Sequence, residues 1–392
     1  MRYSEMTVRW PVALNPIYGT YYSPFMGLYN TSYFYNTPIV VKCVIKRLYW
    51  KVDVAPAAGT SWNMTLWVNG AATALSVDMT SAANYVEETD NEITLNEGDY
   101  AFWVFTPTGA TGAVGKPLYT LDIETEDNSG MLISGSESDN ITSTQYFGVG
   151  DLRYSDTESV VQSLIPTNGK ITKVIGRLAV APGAGKSRKF TLRKNGANTG
   201  LVLTIADANV TATASAEIDI AAGDLLSVLA ERVSSPAASR IILMYKWEPE
   251  IAGEMIYMHS TSQVLDTSST NRFKAIRGSS TLDPSEYINA AMSYEATYRK
   301  FYTLLSTAPG AGKAYNFMFR DDYADTDLDL SVADTNVSNS NTTDEVLVED
   351  KSIIIYKVNG VNTPTASRPK FGIVGYTKGG GTPLRRLMGV GL

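Results

Sequence analysis

Apolar and polar residues alternate along much of this chain with a period of two. Phe190 and Leu192 alternate with Lys189, Thr191 and Arg193. The same pattern recurs at Met64/Leu66 and Phe317/Phe319, and again at Ile93/Leu95, Ile218/Ile220 and Val346/Val348. Successive side chains of a strand leave opposite faces of its sheet, so one apolar face at this period predicts half-buried antiparallel strands. Asn69-Gly70 and Asn195-Gly196 break the alternation with residues that tolerate positive φ in a tight hairpin. The pattern predicts an all-β chain of antiparallel β-sandwiches, about eight strands in each, with jelly-roll wiring. Helix is expected for a turn or two at most, around residues 283–291.

The elements come in three copies. "VAPAAGTSWNMTLWVNG" (54–70), "VAPGAGKSRKFTLRKNG" (180–196) and "TAPGAGKAYNFMFRDDY" (307–323) align without gaps, which spaces Pro56, Pro182 and Pro309 by 126 and 127 residues. Downstream, "EITLNEGDYAFWV" (92–104), "EIDIAAGDLLSVL" (217–229) and "EVLVEDKSIIIYK" (345–357) repeat a second element. Acidic, polar stretches at 124–130 and 248–254 read as linkers. The expected organisation is therefore a module over 1–125, a second over 126–250, a third over 251–378, and a tail over 379–392.

The repeat also decides a motif that would otherwise mislead. "VAPGAGKS" resembles a phosphate-binding loop at Gly185, Lys186 and Ser187, but the position needing the first glycine holds Val180. The copies place Thr60 at Lys186 and Ala314 at Ser187, and a strand pattern follows where a helix would be required. What persists is the Ala-Pro-(small)-Ala-Gly of a turn between strands.

Composition narrows the chemistry further. The 392 residues carry a net charge of −7 with 44% hydrophobic content, which gives no basic face for nucleic acid. Cys43 is the sole cysteine, so no intrachain disulfide forms, in keeping with a reducing cytoplasm. No stretch is apolar enough for a secretory leader or a membrane span, so synthesis in a host cytoplasm is expected. His259 is the sole histidine and lies in an alternating stretch, which disfavours a histidine-based triad or zinc site. In the acidic run 321–334, Asp325, Asp327 and Asp329 alternate with Thr326, Leu328 and Leu330 as a strand with a charged face; EF-hand spacing is absent. Nothing marks a catalytic carboxylate pair. No enzyme activity, cofactor or metal is expected.

The copies differ at their ends. Ten of the first forty residues are aromatic, including Trp10, Tyr18, Tyr21, Tyr22, Phe25, Tyr29, Tyr33, Phe34 and Tyr35. Such residues suit an arm that docks on a partner, and they equally suit the first module's own core. The tail carries Leu384, Leu387 and Met388 around Arg385 and Arg386, again a candidate for burial against another chain.

Taken together, the Ala-Pro-Gly-Ala-Gly turn, the Asn-Gly hairpin and the Ala-Gly-Asp turn of "EIDIAAGDLLSV" resemble those of β-sandwich modules in tailed-phage virion proteins: capsid decoration, head-fibre and tail proteins. The resemblance covers the three repeats and leaves out the arm and tail. It implies a non-enzymatic virion structural protein whose partners are other virion proteins and copies of itself, a homotrimer being the simplest guess. Three modules in one chain could also imitate a three-fold arrangement alone. The alternative is a host-attachment protein that binds a surface glycan. The third copy departs at Asp322-Tyr323 and at Asp350-Lys351, which predicts differently shaped loops there.

Overall fold

The computed structural model of the chain describes residues 2–6, 21–25, 36–52, 54–81, 83–109, 117–150, 152–261, 263–274, 276, 291–292 and 295–377. The first module contains β1 (Arg2–Met6), β2 (Tyr21–Pro24), β3 (Thr37–Pro38), β4 (Cys43–Val52), β5 (Ser61–Val68), β6 (Ala71–Thr80), β7 (Tyr85–Glu88), β8 (Ile93–Leu95), β9 (Tyr100–Thr108) and β10 (Pro117–Thr125). The second contains β11 (Gly130–Ile141), β12 (Gln145–Gly148), β13 (Tyr154–Ser155), α1 (Glu158–Val161), β14 (Ser163–Leu164), β15 (Gly169–Leu178), β16 (Gly183–Lys194), β17 (Ala197–Asp207), β18 (Thr211–Ile220), β19 (Leu225–Val233) and β20 (Ser239–Pro249). The third contains β21 (Glu254–Ser260), β22 (Arg272–Lys274), β23 (Ala291–Met292), β24 (Ala296–Leu305), β25 (Gly310–Asp321), β26 (Ala324–Asp334), β27 (Ser338–Val348), β28 (Ile353–Val361) and β29 (Pro369–Tyr376).

Each module is two antiparallel sheets. In the first they run β1-β10-β4-β7 and β2-β9-β5-β6; β8 continues the edge beside β4, and β3 lies with β2 beside β9. The second has β11-β20-β15-β18 facing β13-β12-β19-β16-β17, and the third has β21-β29-β24-β27 facing β22-β28-β25-β26. With split strands counted once, the order is first-eighth-third-sixth opposite second-seventh-fourth-fifth, the wiring of a jelly roll. The alternating residues do what their period demands: Met64, Leu66, Phe190, Leu192, Phe317 and Phe319 are all buried between the sheets. The third core is the most aromatic, with Phe301 and Tyr356 stacked at 5.1 Å and Tyr356 and Phe371 at 5.2 Å.

The hairpins keep one shape in all copies. Asn69-Gly70 has φ of 51° and 82°, Asn195-Gly196 has 53° and 79°, and Asp322-Tyr323 has 42° and 67°. Likewise Lys351 takes φ 72° where Gly98 and Gly223 take 90° and 91°. The different loop shapes expected in the third copy are thus not found: strand pairing on both sides imposes the turn, and side chains accept the left-handed strain. The glycine-lysine stretch leads into β16, and the Gly185 N–H donates to the Asp207 carboxylate at 2.7 Å, as Gly312 does to Asp334 at 2.7 Å. Of the expected helix, residues 283–290 lie outside the described residues and Ala291 begins β23; the single turn α1 occupies the corresponding part of the second module.

Candidate functional site: the seams between the modules

Some strands are buried on both faces. Ile241 to Tyr245 of β20 are at most 1% exposed, and Met255 to Met258 of β21 at most 3%. A sandwich core accounts for only every second residue. The other face is covered by a neighbouring module, and the same piece of the repeat covers it each time. The short strand β3 of the first module lies against β15 and β20 of the second; β14 of the second lies against β21, β24 and β29 of the third; β23 of the third lies against β10 of the first. The three contacts close a ring.

The same positions of the repeat also supply charge to each seam. Pairing slips between Asp122 and Ile123 beside β4, between Ile171 and Lys173 in β15, and between Arg299 and Phe301 in β24. A bulge bends its strand and re-aims the side chains beside it. At these bulges stand Arg47, Lys173 and Lys300, spaced like the prolines by 126 and 127 residues. The turns that precede β9, β19 and β28 lie at the seams; Lys173 and Arg47 reach the first and the last of them, and Lys300 reaches the Thr167 hydroxyl instead. Hydrogen bonds between Ile39 and Asp99 and between Ile165 and Asp224 tie two of these turns to the residues that follow β3 and β14.

Between the first two modules, Lys173 meets Glu97 at 2.8 Å and the Arg177 guanidinium sits 4.1 Å above the Tyr100 ring. Between the third and first, Arg47 is 3.8 Å from Asp350, the Tyr49 hydroxyl donates to Asp350 at 3.1 Å, and Lys351 meets Glu87 at 2.7 Å. The Lys351 ammonium also lies 4.9 Å above the Tyr49 ring. Burial opposes ionisation of Glu87, but hydrogen bonds from Lys351, Tyr85 and Tyr49 hold its carboxyl below the ordinary range. Between the second and third, the turn carries Ala222, so no carboxylate arrives from that side. Glu254 takes the role from within the third module. Fully buried, it binds Lys300 at 2.6 Å and Arg299 at 2.8 Å and accepts from the Thr167 hydroxyl at 2.7 Å across the seam. Arg153 reaches across to the Ser260 carbonyl, and Lys370 donates to the Ser159 carbonyl.

The seams differ in strength. Each half-exposed ion pair contributes about 0–1 kcal/mol. Each apolar side chain buried by a seam, such as Met244 or Ile256, contributes about 1.5–3 kcal/mol. The third-to-first seam has no covalent link, yet two short linkers hold its halves at an effective concentration of about millimolar or more. Modest contacts therefore suffice to close the ring.

The sequence-based candidates fall elsewhere. Phe25 is fully buried and stacks on Trp103 at 6.4 Å, so it belongs to the first module's own core and is not free to dock on a partner. Tyr21 and Tyr22 are in β2, paired with Phe105 and Val104; their side chains lie outside the described residues. Trp10, Tyr18, Tyr29, Tyr33, Phe34, Tyr35, Leu384, Leu387 and Met388 also lie outside them. Cys43 is buried, and burial with Asp99 nearby pushes its thiol up to about 12, which disfavours the reactive thiolate. The seam residues were missed by sequence reading. Their signals were the unbroken apolar runs "IILMY" and "MIYM" and a base at one position in every copy.

A surface depression of about 580 Å³ beside the second linker is lined by Lys170, Lys194, Asp219, Glu248 and Glu250, without an aromatic platform. Although burial opposes it, hydrogen bonds from Lys246 and Thr172 lower the Glu248 pKa, the reverse of what a general acid needs. Among the described residues no cluster of His, Cys, Asp and Glu could hold a metal ion, and no helix is long and apolar enough to cross a membrane. No protein-family model matches the chain, and no curated protein does. One solved structure, described as "The Triple Jelly Roll Fold and Turret Assembly in an Archaeal Virus", aligns with 96% of this chain and 90% of that one, at 11% identity and a TM-score of 0.21.

Proposed function

We propose that this chain is a non-enzymatic structural protein of a virion, which assembles with other virion proteins. One observation carries the reading: three like jelly rolls close on one another through seams built from the same positions of each repeat. The repeat spends its distinctive residues on joining modules to each other, not on a reaction centre. In one chain the ring makes the three-fold contact for which a homotrimer would need three chains. More finely, the turns shared with tailed-phage modules support a capsid-decoration, head-fibre or tail component, made in the host cytoplasm.

The test is fractionation of particles from the producing culture on a density gradient, with the protein followed by antibody. The proposal expects a constant copy number per particle that survives nuclease and is released by mild denaturant. Protein that stays in the soluble lysate and leaves particles unlabelled would overturn it.

A further inference from the structure

The three seams use matching positions but not matching chemistry. Tyr49, Ile175 and Tyr302 are spaced like the prolines, and each lies on the outward face of its module. Opposite them on the neighbouring strand stand Thr120, Met244 and Gly372. The second module thus turns an apolar pair, Ile175 and Met244, toward the first, and both are buried. In the third module Gly372 admits the second at backbone distance, since a Cβ there would meet the Leu164 carbonyl oxygen at 2.6 Å. The first module instead turns Tyr49, Thr120 and Asp122 toward the third, all at most 2% exposed. Arg47 stands 3.8 Å from Asp122 in its own module and 3.8 Å from Asp350 across the seam.

Polar groups exchange their partners for water when a contact opens, so parting them costs little; apolar groups have no such exchange. The polar seam is also the one that no linker spans. Relative motion is the expected behaviour of modules that meet through a polar surface, unlike those that meet through an apolar one. We propose that the ring is a clasp graded by ionic strength, which opens at the third-to-first seam while the linked seams stay in contact and flex as hinges. The side chains of Arg47, Asp350, Lys351 and Glu87 are between 26% and 42% exposed, within reach of screening by salt. Salt screens Lys173 and Glu97 as well, but Ile175, Met244 and the linker keep that seam shut. The inference rests on the ring and stands apart from the virion reading.

Two buried carboxylates allow a test on the full chain: Asp122 at the third-to-first seam and Glu254 at the second-to-third. Carbodiimide with excess glycinamide labels a carboxylate only when it is bared. Peptide mapping gives the rate at each, relative to the exposed Asp327. Labelling of Asp122 is expected to rise about fivefold between about 0.05 and about 1 M sodium chloride, with Glu254 protected throughout. Lys351→Gln, at a residue bonded to neither carboxylate, is expected to give the high-salt rate already at low salt. Lys173→Gln, at a linked seam, is expected to leave the Asp122 rate unchanged. An Asp122 rate that ignores both salt and Lys351→Gln would overturn the proposal. So would Asp122 and Glu254 bared together, or a Lys173→Gln variant that opens as far as Lys351→Gln.

Discussion

Glu254 shows what a single side chain does for a seam. Its buried carboxylate faces Arg299, Lys300 and Thr167, so Glu254→Gln leaves two cations side by side with their shared counter-charge gone. Breaking one partner out of a buried charge cluster costs about 3–5 kcal/mol, and partial exposure of the two bases puts the expected loss near the low end, about 3 kcal/mol. Denaturant unfolding of the variant measures it; a change within about 0.5 kcal/mol would contradict the account. His259 acts through pH. It is fully buried, neither ring nitrogen has a hydrogen-bond partner among the described residues, and burial with Lys274 and Arg153 nearby lowers its pKa well below 6.5. The unfolded chain binds this proton near pH 6.5 while the folded chain does not. Stability is therefore fully present above that value and falls as pH drops below it, by at most about 1.4 kcal/mol per pH unit. His259→Phe is expected to flatten melting temperature against pH between 6.5 and 5, ahead of the carboxylates; an unchanged slope would show that this histidine is not the cause.

Elements follow local rules, and these were legible in the sequence. A period of two at Phe190/Leu192 and the Asn-Gly pairs placed strands and hairpins because each signal lies within a few residues. The turn after β25 was misjudged because Asp322-Tyr323 lacks the expected glycine, yet pairing of β25 with β26 and β28 forces the same left-handed turn. Holding a non-glycine residue there costs about 1–2 kcal/mol. Tyr323→Gly is accordingly expected to stabilise the protein by about 1 kcal/mol in thermal unfolding, and a destabilised variant would show that the exposed ring makes contacts worth more than the strain. Helix α1 escaped notice because one turn leaves no periodic trace. The double-sided burial of β20 and β21 was only half legible: an apolar run announces that both faces are covered, without saying by what.

At the scale of the whole molecule, three copies of one pattern gave the repeat, but not its closure. Arg47 and Asp350 lie far apart in sequence, and their pair looks like any surface lysine or arginine beside any acid until the chain is folded. Matching positions became seams because a bulge in each copy turns a base toward the neighbouring module, onto a turn from the first and second copies and onto the Thr167 hydroxyl from the third. The ring is the central claim, and two ion pairs that cross its seams allow a test on the native protein. Carbodiimide joins only carboxylates and amines already in contact, so Lys173–Glu97 and Lys351–Glu87, at 2.8 and 2.7 Å, are its natural targets. After mild treatment at low protein concentration, peptide mapping by mass spectrometry is predicted to find both cross-links within single chains. A mapping that finds the first and not the second, or finds Lys351–Glu87 only between chains, would contradict a ring closed by one chain.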